Sequence, residues 1–256
     1  MRDMARLSAA LGEERLDYLG MSFGTLPGAY FMSQCPSRTG HFVLDAAVES
    51  FPDFFAARVP VAKAEEEQLK RIAELCSKDT SCPFHGGETA EQILAARRAL
   101  ADELEASGGV KVGERKLCES DLHHATRGAV RKDGGTDVWN FWKALAAAEQ
   151  DDWVPLLALA DAHWGRQADG TYTSASRFWW IVFNETSCQK GWTLAAAKAA
   201  VAEVAKEAPE LGAAMVTDGL VCLHWPPICA ELAPKKTTAP PALIIAGNLD
   251  VLTPVQ

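Results

Sequence analysis

Clustered basic residues are scarce in this chain. Lysine and arginine number 25 against 34 aspartates and glutamates, a formal charge of −9 over 256 residues. Phosphate neutralisation needs Lys and Arg gathered together, so nucleic acid is not expected as a partner. No apolar stretch approaches the roughly 20 residues of a membrane span, so no membrane partner is expected. Cys-x-x-Cys is missing, and Cys82-x-x-His85 has no second matched pair, which leaves no zinc pattern. There is no phosphate-binding loop either, so neither metal nor cofactor is expected. Met1 to Arg6 does not read as a secretory leader and runs straight into an amphipathic helix.

The chain is nonetheless rich in apolar residues, at 48%. That is enough for one large core, or for a core plus a cap. Its most informative stretch is Gly20-Met21-Ser22-Phe23-Gly24, a G-x-S-x-G. Arg15 to Leu19 before it reads as a short buried strand. Thr25 to Ser33 after it can run as a helix. This is the strand–turn–helix setting of a nucleophile elbow, in which the flanking positions are expected to require Gly and the Ser hydroxyl is pushed out above the sheet. The amide of Phe23 would then stand at a helix N-terminus, able to donate to a developing oxyanion.

At the other end, Pro241 to Leu249 reads as a continuous apolar core strand closing on a Gly-containing turn and Asp250. Two readings of Asp250 stand. It is the acid of a Ser–His–acid set, or it is a turn or N-cap aspartate ahead of Thr253-Pro254.

Between the ends the pattern is helical. Met4 to Leu11 and Phe42 to Leu44 belong to the first part, as a helix and a second core strand. From Ala62 to Leu75 the spacing predicts a helix with charges on one face (Lys63, Glu65, Glu66, Glu67, Lys70, Arg71). Ile93, Leu94, Leu100 and Leu104 place a buried helix over 89–107, N-capped by Thr89 and ended by Gly108-Gly109. Further helices are expected over 121–129, 136–148, 152–164 and 193–207, with no strand from Ala62 to Glu207. His123 and His124 are expected at the surface, because neighbours on a helix point in different directions. A linker at Ala233 to Thr238 returns to the core. The fold class is α/β: a partial core at 1–50, a helical lid or cap at 51–235, and the acid strand at 236–256. Trp139, Trp142, Trp153, Trp164, Trp179 and Trp180 either wall a pocket or pack lid helices together. Glu185 is the lid carboxylate that could receive a peptide's free α-amine, or a solvated loop residue.

Seven cysteines are present, at 35, 76, 82, 118, 188, 222 and 229. Cys76 and Cys82 are spaced for a small disulfide-closed loop after a helix. Buried free thiols are the alternative. An odd total requires at least one free or intermolecular thiol.

Three stretches together carry a family resemblance: Ala10 to Leu16, Leu19 to Thr25 and Val43-Leu44-Asp45. With Cys82-Pro83-Phe84-His85-Gly86, Cys222-Leu223-His224-Trp225-Pro226 and the closing Ala242 to Pro254, they resemble the tripeptidyl-aminopeptidase-like and proline-iminopeptidase-like α/β-hydrolases of the S33 type. The resemblance implies an α/β-hydrolase core with a large inserted helical lid, truncated at both ends. It implies Ser22 as nucleophile, the Phe23 amide as oxyanion donor and Asp250 as acid. It favours Cys76–Cys82 and Cys188–Cys222 as disulfides, an unpaired Cys35 and a secreted location. The family's Gly-rich oxyanion loop has no counterpart in these residues. None of the histidines, at 41, 85, 123, 124, 163 and 224, follows the acid.

Two functions are therefore expected. One is a serine hydrolase, an exopeptidase acting on a peptide with a free N-terminus through an acyl-enzyme; a small-molecule esterase is its neighbour. The other is a catalytically incomplete remnant or binding protein of the same fold. In either case an unpaired sheet edge should make these residues poorly stable alone.

Overall fold

The computed structural model describes residues 2–48, 54–131, 136–177, 181, 188, 193–225 and 237–254. Helix α1 (Arg2–Ala10) precedes strand β1 (Leu16–Met21), which passes through a 3-10 turn, Ser22–Gly24, into α2 (Thr25–Gln34) and then β2 (Thr39–Asp45). Helices follow: α3 (Phe54–Ser77), α4 (Ala90–Ser107), α5 (Glu119–Val130), α6 (Thr136–Ala148), α7 (Val154–Trp164), α8 (Leu194–Glu207) and α9 (Gly212–Thr217). Between α4 and α5 lies an antiparallel hairpin, β3 (Val110–Val112) with β4 (Arg115–Leu117). The last strand is β5 (Leu243–Ile245).

Strands β1, β2 and β5 form one parallel sheet in that order. All the helices from α3 to α9 thus lie in sequence between two strands that pair directly. The period-2 alternation of β1 and β2 divides the sheet into two faces. Tyr18, Gly20, Phe42 and Leu44 face α2, where Phe31 and Met32 close a small apolar core. Leu19, Val43 and Leu243 are in register on the other face.

Strand β5 departs from the sequence expectation. Only three residues of the apolar run pair, and Leu243, Ile244 and Ile245 are 60%, 62% and 47% exposed. Apolar composition fits a buried parallel strand, but burial needs a layer on each face, and among the described residues none covers this one.

The helices have separate cores. One joins α3 through α7 around Leu69, Phe84, Ile93, Leu122, Phe141 and Trp142; the other joins α3, α8 and α9 around Ala62, Val204 and Met215. Helix α4 has the expected ends: Thr89 and Gln92 form a capping box, and Gly108 adopts a left-handed φ of 67°. Disulfides join Cys76 to Cys82 and Cys188 to Cys222, while Cys35 and Cys118 are unpaired.

Three expectations fail in this region. The β3–β4 hairpin interrupts a stretch read as wholly helical; its strands are three residues each, too short to show a period, and turn at Gly113 (φ 62°). His123 and His124 are buried, because α5 is packed by α3, α4, α6 and α7 and has little surface left. The charged residues of α3 do not share one face: Glu65 and Glu66 are buried, while Lys63, Glu67 and Lys70 are exposed. Glu65 is fully buried, accepting from Arg127 at 3.2 Å and Arg131 at 2.5 Å. Arg97 is also buried, donating to Glu210 at 3.0 Å and Thr126 at 3.2 Å. These pairs replace water around each charge, which is how four charged side chains can lie inside a helical core.

Candidate active site

Met21, Asp45 and Ile245 are level across the sheet. Because the strands are parallel, all three end on one edge. Ser22 leaves that edge directly after β1. Asp250 is reached through a turn after β5, two strands and thus about 10 Å along the sheet.

Ser22 is held at φ 50°, a left-handed conformation unfavourable for a residue with a side chain, and its side chain is exposed. The surroundings explain why the strain is kept. Tyr18, two residues before Gly20 on the inward face, lays its ring beneath the turn and donates its hydroxyl to the Gly24 carbonyl at 2.6 Å. Burial pushes the Tyr18 phenol above its ordinary pKa, so it stays a donor. Thr25 donates to the Ser22 carbonyl at 2.7 Å and accepts from the Val48 amide at 2.9 Å, tying the turn to the end of β2.

A Cβ at Gly20 would lie 2.6 Å from the Gly24 carbonyl oxygen and 2.7 Å from the Tyr18 ring. One at Gly28 would lie 2.8 Å from that ring and 2.9 Å from Leu44. Gly24 differs. It has φ −61° and would meet only the Tyr18 hydroxyl, at 3.8 Å. The expectation that both flanking glycines are required therefore holds for the first alone. The second glycine demanded by space is Gly28, one helical turn further on. Tyr18 and Gly28 were not singled out from the sequence. The i, i+2 inward spacing of Tyr18 and Gly20 is the signal that could have found Tyr18.

Phe23 follows Ser22 in the 3-10 turn, at the N-terminal end of a continuous helical segment running to Gln34. Helix N-termini direct amides outward and favour negative charge.

Asp250 uses both carboxylate oxygens in its own turn. Oδ1 accepts from the Leu252 amide at 2.8 Å and the Thr253 amide at 2.9 Å; Oδ2 accepts from the Thr253 hydroxyl at 2.5 Å. Burial pushes the carboxyl pKa up, but the bonds from Thr253 and Leu252 outweigh it and hold the group below the ordinary aspartate range. Asp250 is thus an ionised turn cap. It also lines a cleft of about 610 Å³ against α3. Glu185, with Trp179 and Trp180, lies outside the described residues.

The remaining tryptophans pack helices. Trp142 stacks on Phe84 at 5.9 Å, Trp153 is buried, Trp139 packs against the same core, and Trp164 lies edge-on to His124 at 4.4 Å. Five histidines are engaged away from Ser22 and Asp250. His41 bonds Asp17, His85 bonds Glu88 and Glu149, His123 bonds Glu119, and His124 stacks on His163 and Trp164. Among the described residues no group of three His, Cys, Asp or Glu side chains is placed to hold a metal ion. No helix there is long and apolar enough to cross a membrane.

No family model matches the chain. Over 182 residues it is 28% identical to serine protease Hip1 of Mycobacterium tuberculosis, covering 68% of this chain and 34% of that protein. It is 30% identical to tripeptidyl aminopeptidase of Streptomyces lividans over 94 residues, 36% of this chain and 17% of that one. It is 30% identical to putative hydrolase YuaR of Escherichia coli over 84 residues, 32% and 17% respectively. The chain spans about a third of the length of the first of these relatives, and less of the others. At this modest identity it is related by sequence to the α/β-hydrolase-like serine peptidases.

Proposed function

We propose that these residues carry the nucleophile and acid of a serine peptidase that cleaves peptides from a free N-terminus. Ser22 attacks the scissile carbonyl and forms an acyl-enzyme. Its proton passes to a histidine oriented by Asp250, and the oxyanion rests on the Phe23 amide. The histidine is assigned to none of the six in the chain. The helices between β2 and β5 act as a lid over the elbow, and Glu185 receives the substrate's α-amine. The boundaries are those of the sequence, with a core at 1–50 and 236–256 and a lid at 51–235. The substrate is a peptide, and the location is secreted, where the two disulfides persist.

The observation that carries this reading is Ser22. It is a strained, exposed serine at φ 50° between a parallel strand and a helix N-terminus. Ala46, His85 and Asp151 share a left-handed φ, so what sets Ser22 apart is that the strained residue is an exposed hydroxyl between a strand end and a helix N-terminus. The test is labelling by a fluorophosphonate probe, with Ser22→Ala as control and hydrolysis of free and N-blocked tripeptidyl substrates as readout. Labelling at Ser22 and a preference for the free amine are expected. Asp250→Asn should lower turnover by about 10⁴-fold.

A second reading, a binding remnant of the fold, is favoured by one observation: the Asp250 oxygens are already satisfied by their own turn. Absence of labelling with the fold intact would leave that reading standing.

A further inference from the structure

The two strand ends at the elbow are built alike. Met21 and Asp45 are register partners on β1 and β2, and the residue after each takes a left-handed φ, 50° at Ser22 and 52° at Ala46. Ala46 carries no reacting group, so its strain is kept by what the chain does next. The Ala46 amide donates to the Ile245 carbonyl at the end of β5, at 2.9 Å. Two residues on, the Val48 amide reaches the other way and donates to the Thr25 hydroxyl at 2.9 Å. Residues 46–48 thus form a strap that leaves the middle strand and bonds to both sides. One side is β5, which leads to Asp250; the other is the helix that follows Ser22.

Thr25 is where the strap meets the elbow. It is 1% exposed, so its hydroxyl is spent on protein partners. A hydroxyl has one proton. The Val48 amide occupies a lone pair, and the proton goes to the Ser22 carbonyl at 2.7 Å. A threonine in a helix commonly bonds a carbonyl three or four residues back. Here the same oxygen also accepts from an amide 23 positions on, which makes it a junction between two elements.

We propose that Thr25 is a positioning residue for Ser22. Through the 46–48 strap it fixes the peptide of the nucleophile relative to the strand that leads to the acid. Thr25 touches no reacting atom. The inference rests on the proposed reading of Ser22 as nucleophile. Its rate effect comes from aim: a misplacement of about 1 Å costs on the order of 100-fold.

The test compares Thr25→Val, which keeps the branched shape and removes the hydroxyl, with Thr25→Ser, which keeps the hydroxyl. Fluorophosphonate labelling of Ser22 is measured per folded molecule, with the folded fraction set by urea titration. Thr25→Val should label about tenfold more slowly, and Thr25→Ser should return to within about twofold of wild type. With a free-amine tripeptidyl substrate the loss should fall on kcat, with KM unchanged. A residue serving stability alone would lower the urea midpoint and leave the rate per folded molecule as it was. Equal rates for Thr25→Val and wild type, or an equal loss in Thr25→Ser, overturn the proposal. Hydrogen exchange of the wild-type protein tests it without any variant. The Val48 amide should be protected as well as the Ala46 amide, and free exchange at Val48 would overturn the strap. No labelling of wild-type Ser22 sinks the nucleophile reading and this role with it. Wild-type labelling that is insensitive to Thr25 sinks this role alone.

Discussion

The hydroxyl of Tyr18 donates to the carbonyl of Gly24 at 2.6 Å, with the ring beneath the turn that carries Ser22. The bond spans the strand–turn–helix junction and closes it. Gly20→Ala would drive a methyl into both the Gly24 carbonyl and the Tyr18 ring, and should cost about 2 kcal/mol or more. Gly24→Ala has room and a helical φ, and should change stability by no more than about 0.5 kcal/mol. Tyr18→Phe keeps the ring and loses the bond, at about 1 kcal/mol. Chemical denaturation paired with probe labelling distinguishes the three. Equal tolerance of alanine at positions 20 and 24 would show that the turn is not held this way.

The elbow was legible because its chemistry is local. Gly20, Ser22 and the flanking strand and helix lie within one short stretch. The same holds for Thr89 and Gly108, which mark the ends of α4. What could not be read depends on distant partners. His123 and His124 are buried because four other helices surround α5, and no spacing within α5 announces that. Glu65 looks like a surface residue until Arg127 and Arg131 arrive from α5 and the residue that ends it. Strand β5 shows the opposite error. Its apolar run signals burial, yet the described residues supply no layer on that side. Thr89 reads clearly because its partner, Gln92, is three residues away; Glu210 does not, because Arg97 lies 113 positions back.

Removing Glu65 leaves Arg131 and part of Arg127 without a counter-charge inside the protein. Glu65→Ala should therefore cost about 3–5 kcal/mol, far beyond the methylene groups it deletes. Lys206→Ala breaks an exposed pair with Glu203 and should leave the denaturation midpoint unchanged. Comparable effects at the two positions would mean that the buried network contributes no more than the surface pair.

The two disulfides close loops of different length, with sequence separations of 6 and 34. On the chain-entropy account, the shorter link contributes about 2 kcal/mol and the longer about 4 kcal/mol. Double alanine replacement of Cys188 and Cys222 should lower the melting temperature more than replacement of Cys76 and Cys82. The reverse order would locate the larger contribution in the packing of the 76–82 loop against Phe84, not in loop closure.

Two histidines should shape the pH dependence with opposite sign. His85, at φ 55°, bonds Glu149 through Nε2 at 2.7 Å and Glu88 through Nδ1 at 3.1 Å. Donation to both carboxylates requires the protonated ring. The bond to Glu149 raises its pKa most, burial opposes it, and Glu88 adds to the rise. Its folded pKa is above the unfolded value of about 6.5. Its contribution is therefore complete below that pH and is lost as pH climbs through the raised folded value. His124 is the reverse case. Burial, aided by nearby Arg127 and opposed by Asp218, lowers its pKa to about 4. Its neutral ring contributes fully above about pH 6.5, and the contribution is lost as pH falls toward 4. Urea melts across pH should show His85→Asn, which tolerates the positive φ, flattening the alkaline limb relative to wild type. His124→Phe should flatten the acidic limb. If both replacements act on one limb, or if neither does, these two environments do not govern the titration.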